Sequence, residues 1–414
     1  MFTAETEDGK RICLLDIPRD RFGALKKAYT FYCPACGKEV VLKAGKKKIP
    51  HFAHRSHCPV SGKGETGAHL KGKRKLYQWL KRIQLEPRLE PFLSGIRQRP
   101  DLLVSISGKR IAIEYQYSAV EWRILEKRTR AYFREGITPL WIADARFFRG
   151  GKGMIPFNDF TGFFLQDYFG IPQMIAFDPD RECFLLFARP IPFSSRRAFV
   201  RFRRLPLMDS DLQVFAEDPV DDSFLAHWVA ATERWLGRTI RGKDAIRHPF
   251  LIGLYRRHIH PFQLPEIVGV PLPDMHWVET PPMVWQGELW IRFLFGKGRG
   301  HSFGWTDVEQ FVLSEMKNCI RFRHFSHLAG EKKILPIRWY FHFLSALGLL
   351  SVRGNTFRLE KPVEPLPISA DRCLIRKDFF RRSKAKIMGI FLLTQRMGGY
   401  NGIANVPVSH HIGW

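Results

Sequence analysis

The chain has 414 residues, of which 45% are hydrophobic and 14% aromatic, enough apolar material for two or three globular domains. Its 66 basic and 40 acidic residues give a net charge of +26, which favours a nucleic acid or an anionic membrane surface as partner. No apolar run reaches about 18 residues and the first residues lack a signal-peptide pattern, which excludes a membrane-spanning helix and predicts a cytoplasmic protein.

Near the start of the chain, cysteine and histidine recur at the spacing of a metal site. The 7 cysteines are an odd number, which argues against a disulfide framework. A C-P-A-C-G knuckle precedes a predicted hairpin over residues 40–52, which returns an H-F-A-H segment and another cysteine toward it. The preferred ligands of one structural zinc ion are Cys33, Cys36, His54 and Cys58. His51 is the alternate fourth ligand, and the competing interpretation is a metal-free basic loop.

Residues 65–83 are predicted to form a helix rich in lysine and arginine. Glu65 and His69 are four positions apart, so in such a helix they share one face, and we take both as candidate site residues. Two plainer interpretations stay open. Glu65 is then a first-turn acid that complements the helix dipole, and His69 is a surface histidine.

Residues 101–118 are typical of two strands joined by a tight turn, which we place at Gly108 and Lys109. If Ser107 pairs with Arg110, the strands bury one apolar face. That face consists of Leu102, Val104, Ile106, Ile111, Ile113 and Tyr115.

The other face of this hairpin gathers its polar side chains. In the same register Asp101 lies opposite Gln116, and Glu114 is one diagonal step away, so both carboxylates could reach one divalent ion. Mg²⁺ and Mn²⁺ prefer such oxygen ligands. The alternative is an ordinary half-buried hairpin whose acids are solvated.

A helix over residues 120–134 and a strand over 137–143 follow the hairpin, and Pro139 within that strand predicts an edge position or an irregularity. The order helix, hairpin, helix, strand predicts an α/β fold with a mixed sheet. We expect Glu65 to reach the same edge of that sheet as Asp101 and Glu114.

The segment 196–204 alternates arginine with aromatic residues, a pattern that suits a phosphate backbone with base stacking. Arg201, Arg203 and Arg204 are therefore candidate DNA contacts. An exposed strand with solvated arginines explains the pattern about as well. An acidic linker is predicted over residues 209–222.

The C-terminal part is predicted to be mostly helical. Thr306 starts a capping-box pattern, Pro336 and Gly348 bracket another helix, and a hairpin follows around Gly354 and Asn355. Helices followed by such a hairpin are similar to a winged-helix module, and a plain helix–hairpin core is the alternative. We divide the chain into residues 1–60, 61–208 and 209–414.

Several motifs in one order carry a family resemblance. They are C-P-A-C-G-x-x-V-x-L-K-x-G, H-F-A-H, E-T-G-A-H starting at Glu65, R-P-D ending at Asp101, and I-E-Y-Q-Y-S ending at Ser118. Over residues 1–205 this series resembles the competence protein CoiA family of bacterial natural transformation. The stretch P-D-M-H-W-V-E-T-P-P-M-V-W-Q-G-E-L-W from residue 273 is similar to that family's C-terminal region.

The resemblance implies a zinc-binding N-terminal module and a restriction-endonuclease-like domain of the PD-(D/E)XK nuclease superfamily. In that reading Asp101 and Glu114 hold the catalytic metal, and Gln116 stands where the superfamily usually has lysine. His69 then orients or deprotonates the attacking water, Glu65 supports the metal, and Ser118 makes a neighbouring contact.

The resemblance also implies a role in recombining incoming single-stranded DNA. We therefore expect a Mg²⁺- or Mn²⁺-dependent DNA nuclease whose partners are single-stranded or branched DNA, with a recombinase and a loading protein as further candidates. The alternative is a non-catalytic DNA-binding recombination mediator with a degenerate nuclease site. An RNA-binding zinc protein is a third, poorer hypothesis.

Overall fold

The computed structural model describes residues 1–45, 48–55, 58, 65–151, 153–168, 171–210, 224–315, 319–325, 328 and 330–396. The chain divides into two compact units. The first unit consists of Met1–Phe148, Met174–Leu186 and Arg203–Phe215, and the second of Arg149–Gln173, Phe187–Phe202 and Ala216–Trp414. The domain boundaries at 60 and 208 stay predictions, and most of the predicted linker, residues 211–222, lies outside the described residues.

The first unit begins with a five-stranded antiparallel sheet in the order β2-β1-β3-β4-β5. Its elements are β1 (Thr3–Thr6), β2 (Arg11–Cys13), α1 (Phe22–Ala28), β3 (Phe31–Tyr32), β4 (Glu39–Lys43) and β5 (His51–His54). The predicted hairpin is present, because Lys43 pairs with His51 and Val40 with His54. One face of this sheet packs on Phe22, and Phe31 and Phe52 meet there at a ring distance of 4.9 Å.

A mixed sheet forms the rest of the first unit, with the neighbour order β6-β7-β8-β9-β12. The elements are α2 (Gly67–Arg82), β6 (Arg88–Leu89), β7 (Leu102–Ile106), β8 (Lys109–Gln116), α3 (Trp122–Arg134) and β9 (Ile137–Asp144), with β12 (Ile171–Asp178) reached later. β7 and β8 are antiparallel, whereas β9 runs parallel to both β8 and β12. The predicted α/β class with a mixed sheet is confirmed.

The register of the β7–β8 hairpin differs from the prediction by two positions. Ile106 pairs with Lys109, so the turn residues are Ser107 and Gly108, whose φ angles are +48° and +77°. Two positive φ angles in a two-residue loop are the mark of a type I′ turn, which matches the twist of the strands. In this register Asp101, just before the first paired residue Leu102, is level with Glu114 instead of Gln116.

Both faces of the hairpin are buried, which corrects the expectation of one solvated face. On one side a Cβ added to Gly72 of α2 would lie 2.1 Å from the ring of Tyr115, so only glycine lets this helix approach so closely. On the other side Leu103 and Ala112 pack with Tyr132 of α3. Polar side chains in this sheet therefore need partners within the protein.

Pro139 does not mark an edge strand, since β9 lies between β8 and β12. Pro139 is opposite Ala112 of β8, and the pairs with β12 start only at Ile142. A residue without an N–H is tolerated here because the strand has a single paired neighbour at that level.

The second unit contains several short strands and most of the described helices. Its elements are β10 (Met154–Pro156), α4 (Asp159–Phe163), β11 (Gln166–Tyr168), parts of β12, β13 (Cys183–Ser194) and β14 (Arg197–Pro206), then α5 (Leu225–Ile240), α6 (Pro249–Tyr255), α7 (Pro282–Phe293), β15 (Ser302–Gly304), α8 (Trp305–Gln310), α9 (Leu335–Ala346), β16 (Leu350–Arg353), β17 (Thr356–Leu359) and α10 (Arg372–Arg396). β10 pairs with β14 and β11 with the start of β12.

The C-terminal elements follow the predicted order of helices and a hairpin. α9 carries Pro336 in its first turn and Gly348 follows it with φ +71°, but α8 is capped at Gly304 instead of Thr306. β15 adds to the hairpin in the order β15-β17-β16, as in a winged helix. Most of α9 is buried, however, so this helix does not present a free face to a DNA groove.

Candidate functional site

The cysteine knuckle and the β4–β5 hairpin bring together a group that we name the Cys3His cluster: Cys33, Cys36, His54 and Cys58. Their ligand atoms all lie within 4.8 Å of one another. Cys33 follows β3, and Gly37 turns the knuckle with φ +68°. His54 ends β5, which returns beside β4. Three thiols and one imidazole in this arrangement could hold a metal ion, and the donor set suits Zn²⁺.

The electrostatics of this cluster also suit a bound cation. Burial raises the pKa of Cys36 to about 11, and Cys33 adds to the effect. Zinc binds the thiolate form, so an ion would reverse this preference. His51, the alternate ligand, is not in the cluster; its Nδ1 lies 2.8 Å from the Ile49 carbonyl, to which it can donate.

A second polar group lies where α2 begins and β7 begins. Glu65 precedes the N-cap residue Thr66, whose hydroxyl accepts from the backbone N–H of His69 at 3.2 Å. Glu65 is therefore outside the helix, and the expected shared face of Glu65 and His69 is wrong. The structure still brings Glu65 near His69, because both surround a lysine of α2.

That lysine is Lys73, and we name its surroundings the acid–lysine cluster: Lys73 with Glu65, Glu90 and Asp101. The side chain of Lys73 is fully buried, and its Nζ lies 2.7 Å from Glu65 Oε1 and 3.4 Å from Asp101 Oδ1. It also donates to Glu90 Oε1. Burial opposes its charge, but the carboxylates raise the pKa of Lys73 far above its ordinary value. Lys73 is thus a fixed cation.

Glu90 ties this cluster to the first strand of the chain. Its backbone has φ +49°, and its Oε2 accepts from the N–H groups of Phe2 at 2.8 Å and Thr3 at 3.1 Å. The Thr3 hydroxyl donates to the same oxygen. With Lys73 on its other oxygen, Glu90 has hydrogen-bond partners at both oxygens, so a buried carboxylate is tolerated.

Asp101 accepts from three directions. Its Oδ2 receives the N–H of Tyr115 at 2.9 Å and lies 3.3 Å from His69 Nε2. Although burial opposes the charge, Lys73 and then His69 lower the pKa of Asp101 to about 2. Burial likewise opposes a charged His69, but the Asp101 carboxylate outweighs it and raises the pKa of His69.

Glu114 faces the other side, toward α3. Its Oε1 accepts from the Arg128 guanidinium and from the Tyr132 hydroxyl. Burial raises the pKa of Glu114, and the negative charge of Asp101 adds to the rise. The two predicted metal ligands are thus close enough to repel each other, while each is held by its own protein cation.

The remaining predicted residues lie at the end of β8. Gln116 is half-buried and donates from Nε2 to the carbonyl of Ser118, which is exposed just beyond the strand. The structure therefore gathers Glu65, His69 and Asp101, places Glu114 beside them on the neighbouring strand, and sets Gln116 and Ser118 together at the rim.

Sequence reasoning missed Lys73, Glu90 and Arg128. The signal for Lys73 was its place on the stripe of α2 shared by His69 and Leu76, which is the buried side of that helix. In a helix rich in lysine and arginine, nothing else distinguishes Lys73 from its basic neighbours. Glu90 left no pattern that could be recognised.

The three candidate DNA-contact arginines differ in exposure. Arg201 is 7% exposed, Arg203 is half-buried and Arg204 is exposed. A phosphate backbone would thus reach Arg204 most readily.

Three family models match consecutive parts of the chain. The "Competence protein CoiA, N-terminal domain" matches residues 14–61, the "Competence protein CoiA, nuclease-like domain" residues 65–219, and the "Competence protein CoiA, C-terminal domain" residues 224–372. The chain is also 31% identical over 360 residues to "Competence protein CoiA" of Bacillus subtilis (strain 168), an alignment that covers 85% of this chain and 95% of that protein. No solved structure matches it.

None of the helices in the described ranges combines the length and apolarity that a membrane crossing requires.

Proposed function

The chain belongs to the competence protein CoiA family, and from this membership we propose that it is a Mg²⁺- or Mn²⁺-dependent DNA nuclease. Its proposed role is the recombination of incoming DNA during natural transformation, with single-stranded or branched DNA as substrate. We place this activity in the cytoplasm, where cysteine thiols stay reduced and can bind metal.

Support for a nuclease comes from one observation above all: the convergence of Glu65, His69 and Asp101 beside Glu114. These are buried ionisable groups with opposed pKa shifts, since the pKa of Asp101 is lowered and that of Glu114 is raised. Such groups are concentrated at functional sites, although ion-pair networks also shift pKa values.

In the proposed mechanism Asp101 and Glu114 hold the divalent ion, whose oxygen-ligand preference they fit, and Glu65 supports them. The ion would supply charge stabilisation at the phosphate and a more acidic water. His69 orients the attacking water or accepts its proton at Nδ1, because its Nε2 faces Asp101 Oδ2, which fixes the imidazole. Gln116 positions a phosphate oxygen or water, with Ser118 as a neighbouring contact.

We also propose that the Cys3His cluster holds one structural Zn²⁺. Four protein donors leave no open position for a substrate, so this ion would stabilise the fold without taking part in catalysis.

DNA would be held mainly through basic surfaces, with Arg201, Arg203 and Arg204 as the candidate contacts. The logarithm of the DNA-binding constant should fall linearly with the logarithm of the salt concentration. Neutralising Arg203 and Arg204 should make this dependence less steep. A recombinase and a loading protein are proposed partners on the basis of the family alone.

A second candidate function is a non-catalytic recombination mediator. It is favoured by the acid–lysine cluster itself, where Lys73 already compensates the acids and Arg128 compensates Glu114. Such a cluster is stable without an ion, as a degenerate nuclease site would be.

One experiment separates the two. Purified protein is incubated with labelled single-stranded, duplex and branched DNA, with and without Mn²⁺. A nuclease cleaves at least one of them with Mn²⁺, and Asp101→Asn and Glu114→Gln abolish cleavage while DNA binding survives. The control is Glu182→Gln, whose half-exposed carboxylate pairs with Lys75 away from the cluster. Absence of cleavage of every DNA, with no effect of Mn²⁺, supports the mediator.

A further inference from the structure

Next to the candidate site, a chain of contacts leads from Asp101 to an arginine on the surface. The ring of His69 lies 5.8 Å from that of Tyr115, and the Tyr115 hydroxyl donates to Asp144 Oδ2 at 2.6 Å. Asp144 Oδ1 in turn accepts from Arg146 Nε at 2.7 Å and from its backbone N–H at 2.9 Å. The Arg146 guanidinium is therefore fixed by a buried carboxylate.

Arg146 is stacked as well as fixed. Its guanidinium carbon lies 4.0 Å from the ring centre of Tyr117, and its Nη2 donates to the Tyr117 carbonyl at 3.1 Å. Its side chain is 46% exposed. Across the described residues, no hydrogen bond of its Nη1 is found. Tyr117 itself lies between Gln116 and Ser118, at the rim of the candidate site.

A second pair of the same kind follows five residues later. The Arg123 guanidinium lies 5.1 Å from the ring of the half-buried Trp122, at the start of α3. Five residues of extended chain span at most about 17 Å, so both pairs lie within the reach of a few nucleotides. Two arginine–aromatic pairs thus flank the exposed segment that leaves the site.

We propose that Tyr117 with Arg146, and Trp122 with Arg123, form a stacking surface for the unpaired bases of a DNA strand that enters the candidate site. This inference rests on the proposed action on DNA. Aromatic rings and guanidinium planes stack on any base, and the cations meet the phosphates that accompany it. A surface of this kind selects unpaired over paired bases, since bases in a duplex already stack on one another.

The test measures binding by the full-length chain, without cleavage, in buffer free of divalent metal. The probes are an oligothymidylate, an abasic oligonucleotide of equal length and a blunt duplex. Trp122→Leu and Tyr117→Leu are each expected to weaken oligothymidylate binding about tenfold and to leave the other two probes unchanged. Tyr117→Phe keeps the ring and should retain affinity.

Phe133→Leu is the matched control, because Phe133 is a 47% exposed aromatic residue near the opposite end of α3 from Trp122. The stacking surface is overturned if the variants lose as much affinity for the abasic probe as for oligothymidylate. It is also overturned if they keep their affinity for oligothymidylate while their melting temperatures are unchanged. Base-dependent binding here, combined with no cleavage of any DNA in the Mn²⁺ experiment described above, would sink the nuclease and leave the stacking surface standing.

Discussion

The Cys3His cluster and the acid–lysine cluster lie in the same compact unit but balance their charges in different ways. In the first, four donor atoms converge within 4.8 Å of one another, and burial raises the pKa of the Cys36 thiol. In the second, Lys73 already provides a cation to three carboxylates. The first region could take a cation from outside, whereas the second carries its own.

The difference shows what a metal would do in each place. Zinc in the Cys3His cluster would add a stabilising centre that the protein does not supply. A divalent ion beside Asp101 would have to compete with Lys73, and at Glu114 with Arg128. Its net effect on stability is therefore smaller, because part of its binding energy replaces an existing ion pair.

The largest effect is expected from removing zinc. Elemental analysis should find about one tightly held zinc per chain, and Cys36→Ser or a strong chelator should unfold the N-terminal sheet, since structural zinc contributes on the order of 10 kcal/mol. Cys373→Ser, at an exposed cysteine, is the control. If metal-free protein still unfolds cooperatively at the melting temperature of the zinc-loaded protein, the Cys3His cluster does not depend on an external ion, and the two regions do not differ in this respect.

Loss of Lys73 should have the next largest effect. Lys73→Met leaves three buried carboxylates without their shared cation, which should cost about 3–5 kcal/mol in urea unfolding. Lys75→Met, two positions on, breaks only the exposed pair with Glu182 and should cost less than about 1 kcal/mol. Equal costs for the two variants would mean that the acids are balanced by something other than Lys73.

Acid should weaken the acid–lysine cluster through Asp101. Its folded pKa of about 2 is below the ordinary 3.8, so Asp101 contributes stability above about pH 4 and loses it as the pH falls toward 2. The shift corresponds to about 2 kcal/mol. In unfolding measured from pH 6 to pH 2, Asp101→Asn should therefore flatten the acid limb. If the free energy of unfolding of Asp101→Asn falls with pH as steeply as that of the parent, a group other than Asp101 causes the loss of stability in acid.

The smallest expected effect is stabilisation by Mn²⁺. Saturating Mn²⁺ should raise the melting temperature of zinc-loaded protein by about 2–4 °C, the shift that about 1 kcal/mol produces in a protein of this kind. Asp101→Asn and Glu114→Gln should each remove this rise, whereas Glu182→Gln should keep it. A large rise in the parent would indicate that Lys73 and Arg128 compete far less than their contacts suggest.

Sequence reasoning predicted the Cys3His cluster well because its geometry is local. The C-x-x-C spacing and a short hairpin determine where Cys33, Cys36 and His54 can go, and little tertiary information is needed. Fold class was equally accessible, since helix and strand periods alternate clearly along residues 65–144.

The details of the acidic site depended on tertiary structure. A two-residue error arose at Ser107, because serine rarely takes the φ > 0 that a type I′ turn requires of it. The partners Lys73 and Arg128 come from helices on opposite faces of the sheet, and no local pattern states which basic residue faces inward. The one indication that Lys73 faces inward was its position four residues after His69, on the same side of the predicted helix.

Glu90 has a consequence for how this unit opens. One of its oxygens accepts from the backbone of Phe2 and Thr3 at the start of β1, and the other binds Lys73 of α2. Local unfolding of β1 would therefore also expose the buried carboxylate of Glu90. We expect the N-terminal sheet and α2 to unfold together, as one cooperative unit. In hydrogen–deuterium exchange we then expect their amides to be protected to a similar degree, and removal of a metal from the Cys3His cluster to speed exchange in α2 as well.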